Sequence, residues 1–353
     1  MLARVRDGAA IIRRVNPDSD LSPLPPRLQV EVTNRCSLGC ASCARHGWDA
    51  GANRPGELQQ ETLEQLAPLL DAAVEVTIGG YGDPSEGEML LPLLHRAKAA
   101  GCSVRMITGG AKLSPALIES LIDGGLDRLV LSMDGARDET LRSLRGVPKR
   151  AWLKWIRTVR TLREDRDSFR PMIQLNFVAQ WPNVEELPEL VDLCADEGVA
   201  GIHAFHIKAY RPESLDLCLL TDPDAARPHF DEARRRAELR GVFLHLPPLD
   251  GAAVDCRQPF EHLFVRHDGT VRGCCSGLFE PADFGLAVGT LHDGGEALWR
   301  APILEKFRAA SRSGNEQDFP LPCRSCAFRL PRVAAHNRVL SVLPPEEGQR
   351  RVS

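Results

Sequence analysis

No run in the 353-residue chain approaches the eighteen or so apolar residues that a membrane helix needs. Nor is there a long basic tract. The longest clusters are Arg13-Arg14 and Arg234-Arg235-Arg236 and the net charge is −4, so neither nucleic acid nor a membrane is expected as a partner. The N-terminal stretch has only Ala9-Ala10-Ile11-Ile12 as an apolar core, too short for a signal peptide. These absences predict a cytoplasmic protein. There, eleven cysteines point to metal or redox chemistry rather than to disulfides. What remains is ordinary: 43% hydrophobic and 26% charged residues, as in a globular chain long enough for one large domain or two smaller ones.

A repeating pattern begins at Leu28. Short apolar stretches at 28–32, 74–78, 103–107, 128–132, 173–179 and 201–207 read as strands, and amphipathic stretches at 61–70, 90–100, 115–123, 152–163 and 184–196 read as the helices between them. This alternation predicts an α/β chain with a parallel sheet, and six strands rather than eight suggest a partial (βα)6 TIM-like barrel. The expected organisation is a leader at 1–27, the barrel at 28–247, a small α+β cluster-binding domain at 248–332 and a tail at 333–353. In the last region, His267-Asp268-Gly269-Thr270-Val271 reads as a hairpin turn, and 296–310 as one helix with Trp299 in the core.

Chemistry-bearing residues fall just after the strands, where barrels of parallel strands place their sites. Strand one is followed by Cys36-x3-Cys40-x2-Cys43, and strand two by Gly79-Gly80-Tyr81-Gly82-Asp83-Pro84. Strand three leads to Thr108-Gly109-Gly110, strand four to Ser132-Met133-Asp134, and strand five carries Asn176. Strand six is followed by His206-Ile207-Lys208-Ala209-Tyr210-Arg211. Three thiolates on one loop fill three corners of a [4Fe–4S] cube and leave one iron open, whereas structural zinc wants a fourth ligand, for which His46 is the local candidate. The later cysteines, Cys256, Cys274, Cys275, Cys323 and Cys326, taken alone suit a four-thiolate zinc site equally well.

On these motifs the chain, over roughly residues 28–328, resembles the radical S-adenosylmethionine (SAM) enzymes, with a C-terminal part similar to the twitch or SPASM type of auxiliary-cluster domain. The resemblance implies that Cys36, Cys40 and Cys43 hold a [4Fe–4S] cluster whose open iron binds SAM. It implies that Tyr81-Gly82-Asp83-Pro84, in place of the family's Gly-Gly-Glu-Pro, meets the SAM amino group, through the short Asp83 side chain or through the loop backbone, with Gly80 beside it. Thr108 lines the cofactor pocket, Ser132 and Asp134 reach the ribose, and Asn176 lies nearby. Cys256, Cys274, Cys323 and Cys326 would ligate one auxiliary [4Fe–4S] cluster, with Cys275 the alternative to Cys274. Cluster number and spacing resemble the layout of 2-deoxy-scyllo-inosamine dehydrogenases of aminoglycoside biosynthesis.

The activity this implies is reductive cleavage of SAM to a 5′-deoxyadenosyl radical, fed by an external donor such as flavodoxin or ferredoxin. That radical would take hydrogen from a carbohydrate or aminocyclitol, giving dehydrogenation or epimerisation. His206, Lys208 and Tyr210 are candidates for a base or a substrate clamp, with His203 and Arg211 nearby. Cys218 and Cys275 are candidate hydrogen donors for epimerisation, while Cys102 and Cys194 read as packing residues. Modification of a ribosomally made peptide is the alternative; 27 residues before strand one are too few for a leader-binding module, which a partner would then supply. Decarboxylation of a sugar acid, with Lys208 or Arg211 on the carboxylate, and a non-enzymatic two-site metal scaffold complete the set.

Overall fold

The computed structural model describes residues 21–43, 45, 54–209, 212–251, 256–274, 286–320, 323, 326 and 329; Tyr210, Arg211, Cys275 and His46 lie outside them. All six expected strands form: β1 Arg27–Val30, β2 Glu75–Ile78, β3 Ser103–Thr108, β4 Arg128–Ser132, β5 Met172–Ala179 and β6 Gly201–His206. Each pairs in parallel with the next. Two strands extend this parallel set. β7 Phe243–His245 follows β6 at one edge, and β8 His262–Val265 lies beside β1. β9 Thr270–Arg272 and β10 Ala287–Thr290 then continue antiparallel, giving the order β10-β9-β8-β1-β2-β3-β4-β5-β6-β7. The region expected to form a separate small domain thus shares its sheet with the barrel.

β1, β3 and β5 alternate in burial. One face, including Val104, Met106, Leu175 and Phe177, is fully buried; the other carries polar and intermediate residues such as Arg105, Ile107, Asn176 and Val178. Such alternation belongs to strands with one apolar face against helices and one lining a partly open interior.

The helices are α1 Gln60–Gln65, α2 Ala67–Ala72, α3 Leu90–Ala99, α4 Pro115–Asp123, α5 Asp138–Arg145, α6 Lys149–Asp165, α7 Leu187–Glu197 and α8 Pro223–Arg240. Local chemistry starts and stops them. Ser114 Oγ accepts from Leu117 N at the start of α4, with Pro115 in its first turn, and Gly146 ends α5 at φ 69°. Along α6, Trp152, Trp155, Ile156 and Val159 recur at helical spacing and bury one face. The single stretch expected at 61–70 is divided into α1 and α2, Pro68 standing in the first turn of the second.

At the C-terminal end, α9 Gln258–Glu261 leads into β8, and the expected hairpin turn is present with Gly269 at φ 79°. The helix expected over 296–310 is two, α10 Gly295–Trp299 and α11 Pro302–Ser313. Pro302 cannot continue the first and suits the start of the second. Trp299 is fully buried, as expected, and its Nε1 donates to Ser22 O at 2.8 Å. Cys102 and Cys194 are buried in the main core. Leu286, Phe307, Ala310, Phe319 and Cys323 form a second, smaller core.

Candidate active site

A cavity of about 690 Å³ opens at the C-terminal ends of the strands. Its wall includes Cys36, Cys40 and Cys43 together with Cys256, Cys274 and Cys326. Gly80, Tyr81, Gly82, Asp83, Thr108, Ser132, Asp134, His206 and Lys208 line it as well. Most of the residues picked out along the sequence therefore meet in one place. Asn176 and Cys218 do not line it. Asn176 pairs with Ser132 in the sheet, and Cys218 is fully buried in apolar core, which pushes its thiol pKa up. Tyr210 and Cys275 fall outside the described residues.

The cysteine loop is gripped from several sides. Cys43 N bonds Cys40 O at 3.0 Å, Ala41 N bonds Leu144 O at the end of α5, and Ser37 N donates to Glu86 Oε1 at 2.5 Å. Ser42 Oγ donates to Gln180 Oε1 at 3.0 Å. Glycines make the approach of the neighbouring loops possible. A Cβ on Gly82 would sit 2.5 Å from Thr33 O, one on Gly80 2.6 Å from Glu31 Cβ, and one on Gly109 2.6 Å from Leu38 Cδ1.

Asp83 does not hold its carboxylate out into the cavity. It accepts from Thr108 Oγ1 at 2.7 and 2.9 Å, from Gly109 N at 2.7 Å, and from Ser85 N and Oγ at 3.0 and 2.6 Å. It ties the β2 loop to the β3 loop. Asp134 is similarly engaged, accepting from Val178 N at 2.7 Å and pairing with Arg145 Nε at 2.5 Å. Arg145, which the sequence did not single out, brings its Nη1 to 3.8 Å from Cys40 Sγ. Burial alone would weaken its charge; Asp134 and Cys40 more than offset that, so its pKa lies above the usual range.

Burial dominates the thiols. It pushes Cys36 up to about 11, and raises Cys40 against the opposing pull of Arg145. The C-terminal set behaves alike. Cys256 and Cys323 are both raised by burial first, then by each other's neighbours: Cys256 by Cys274 and Cys326, Cys323 by Cys274, Cys326 and Cys256. Among the described residues no three His, Cys, Asp or Glu side chains stand close enough to hold a single metal ion, but Cys256, Cys274 and Cys326 line the cavity with Cys323 near enough for their charges to act on it. Four thiols suit a fully ligated [4Fe–4S] cube and three an incompletely ligated one. Metal binding would release their protons.

His206 presents a different kind of group. Its Nε2 lies 2.8 Å from Pro248 O, and a carbonyl only accepts, so that nitrogen carries the hydrogen. Burial holds the ring's pKa below the usual value, and Nδ1 is left as a bare acceptor with no partner among the described residues. Arg257, Gln258 and Arg329 also line the cavity. Like Arg145, they escaped the sequence reading because nothing local marks an arginine or glutamine as facing a site.

Residues 30–173 match the radical SAM superfamily, and residues 256–327 match the SPASM iron–sulfur cluster-binding domain. The tungsten-containing aldehyde ferredoxin oxidoreductase cofactor-modifying protein of Pyrococcus furiosus is 21% identical over 62% of this chain and 62% of its own. A PqqA peptide cyclase of Ruegeria pomeroyi is 26% identical over 64% of this chain and 60% of its own. The chain thus spans less than two thirds of the length of these relatives. In architecture it resembles Streptococcus suis SuiB bound to S-adenosylmethionine, with a TM-score of 0.64 at 16% identity over 80% of this chain and 67% of that one. SAM and [4Fe–4S] clusters are the cofactors of these two domains, and the two thiol sets fit them. Among the described residues no helix is long and apolar enough to cross a membrane.

Proposed function

We propose that this chain, a radical SAM domain joined to a SPASM iron–sulfur domain, oxidises a hydroxyl-bearing carbohydrate or aminocyclitol. One observation carries the reading: both cysteine sets border the same cavity of about 690 Å³, and a buried histidine with a lowered pKa lines it too. Cys36, Cys40 and Cys43 hold the SAM-binding cluster, and Cys256, Cys274, Cys323 and Cys326 the auxiliary one. The bound cofactors supply a 5′-deoxyadenosyl radical that removes a hydrogen atom from carbon, and an electron relay.

The protein's own groups do the rest. With Asp83 committed to Thr108, Gly109 and Ser85, the SAM amino group meets the backbone of the 80–82 loop, while Ser132 lies on the wall for the ribose. Arg145, fixed by Asp134, sets the cysteine loop against α5. His206 Nδ1 accepts the substrate's hydroxyl proton, and Lys208 lies beside it to orient the substrate. The reducing electron comes from a flavodoxin or ferredoxin, and the protein works in the cytoplasm. Epimerisation remains the redox-neutral outcome of the same hydrogen abstraction.

A second reading, modification of a ribosomally made peptide, draws on the likeness to a PqqA peptide cyclase. The discriminating experiment incubates anaerobically reconstituted protein with SAM, reductant and either aminocyclitols or candidate peptides. The expected result is 5′-deoxyadenosine in stoichiometric step with an oxidised cyclitol. Turnover confined to peptides overturns the first reading in favour of the second.

A further inference from the structure

Arginines stand beside both cysteine sets: at the triad, Arg45 Nη1 donates to Cys36 O at 2.7 Å and Arg145 Nη1 lies 3.8 Å from Cys40 Sγ. At the loop triad, Arg145 is neutralised by Asp134 at 2.5 Å. At the C-terminal set, Arg329 is only 7% exposed. Its Nε donates to Cys323 O at 3.1 Å, and its guanidinium lies 4.0 Å from the centre of the Phe319 ring. Its charge acts on the thiols of Cys256 and Cys323. Its Nη2 is buried with no partner among the described residues. A buried donor with no partner costs about 1–3 kcal/mol, and more when the group is charged. Against four sulfur ligands, such a donor fits an anionic, sulfur-rich group.

We propose that Arg329 donates its Nη2–H to the sulfur of the auxiliary cluster and raises that cluster's reduction potential. The inference rests on the assignment of Cys256, Cys274, Cys323 and Cys326 as its ligands. Reduction adds negative charge, and a fixed positive charge in a low-dielectric surrounding stabilises the reduced form. Hydrogen bonds to cluster sulfur act in the same direction. A raised potential poises the auxiliary cluster to act as the electron acceptor. Its one-electron reduction is matched by loss of one electron from a substrate carbon that has already given up a hydrogen atom, the hydroxyl proton passing to His206 Nδ1. Dehydrogenation, which needs an acceptor, is then favoured over epimerisation, which does not.

The test is a potentiometric titration of the full-length, anaerobically reconstituted protein, followed by electron paramagnetic resonance. The auxiliary signal is the one that does not change when SAM is added. Arg329→Gln is expected to weaken reduction of that cluster at least tenfold, about 59 mV for one electron. Arg329→Lys should recover part of the shift, and the SAM-responsive cluster should keep its midpoint in both. A full complement of about eight irons with an unmoved auxiliary midpoint in Arg329→Gln overturns this proposal alone. Loss of the auxiliary iron from both variants also overturns it, making Arg329 an assembly residue. Only about four irons in the unaltered protein would sink the auxiliary-cluster assignment and this proposal together.

Discussion

Glu31 and His267 lie 236 residues apart and meet inside the protein, Oε1 to Nδ1 at 2.8 Å. Glu31 is fully buried, and its second oxygen accepts from Tyr81 N at 2.5 Å. Arg266 Nε stands 3.6 Å from the same carboxylate. One side chain thus fastens the end of β1, the β2 loop and the β8–β9 turn.

Removing it should be costly. Glu31→Ala leaves Tyr81 N and His267 Nδ1 without their acceptor in a closed interior, at about 3 kcal/mol. The expected result is a fall in Tm of roughly 5 °C by calorimetry, with Glu31→Gln less affected because it still accepts from Tyr81 N. An unchanged Tm in Glu31→Ala would show that the junction carries no stability.

The two thiol sets predict separable losses. Replacing Cys36, Cys40 and Cys43 together by Ala should leave about half the iron and no SAM cleavage. Cys323→Ala should spare the first cluster and some uncoupled cleavage to 5′-deoxyadenosine, but abolish oxidised product. Iron analysis and chromatography of the nucleoside check both. SAM cleavage by the triple variant would reject the loop triad as its site.

Glycines near the cofactor should differ in tolerance. A Cβ at Gly82 would collide with the Thr33 and Arg35 carbonyls, whereas one at Gly39, inside the cysteine motif, would meet nothing within 4 Å. Gly82→Ala is expected to cost about 1–3 kcal/mol and to lower iron incorporation and SAM affinity. Gly39→Ala should retain both. Equal iron content and SAM binding by the two variants would refute the close-approach argument.

Acid should destabilise the fold through buried histidines. Burial first, then Arg105 and Arg27, pushes His262 down to about 3; burial, then His245 and Arg105, pushes His203 down to about 4. Both stay neutral in the folded chain while the unfolded chain takes up protons below about pH 6.5. The unfolded state therefore binds more protons, and stability rises with pH across this window. The His262 contribution is whole above about pH 6.5 and falls by ~1.4 kcal/mol per pH unit on acidification, until the folded state also protonates. Thermal unfolding between pH 7.5 and 5 should show a shallower decline for His262→Phe than for the unaltered protein. Parallel declines would contradict this.

The parts legible in the sequence are those whose signal is local. Apolar runs such as 128–132 and 201–207 became strands because alternation and β-branched composition act within a few residues. The cysteine loop was legible because ligand spacing is itself local. What stayed hidden depends on distant partners. Arg145 gains meaning only from Cys40, 105 residues away, and Glu31 only from His267. Helix α5 escaped notice because its charged sequence buries only Leu141 and Leu144. β8 was read as part of a separate unit since a short apolar stretch does not say which sheet it will join. Asp83 was expected to meet the cofactor through its side chain or its loop's backbone; that its carboxylate accepts from Thr108 and Gly109 follows from where the next loop lies, which no spacing records.

The pairing of β8 with β1 has a consequence for how the chain can be divided. Main-chain groups of Arg27–Val30 are met on one side by β2 and on the other by His262–Val265. Cutting the chain at 247 would strip one side and leave an open strand edge running into the cysteine loop. The N-terminal part alone is then expected to pair through that edge with further copies of itself, so the cut is expected to yield an aggregating fragment rather than a working half.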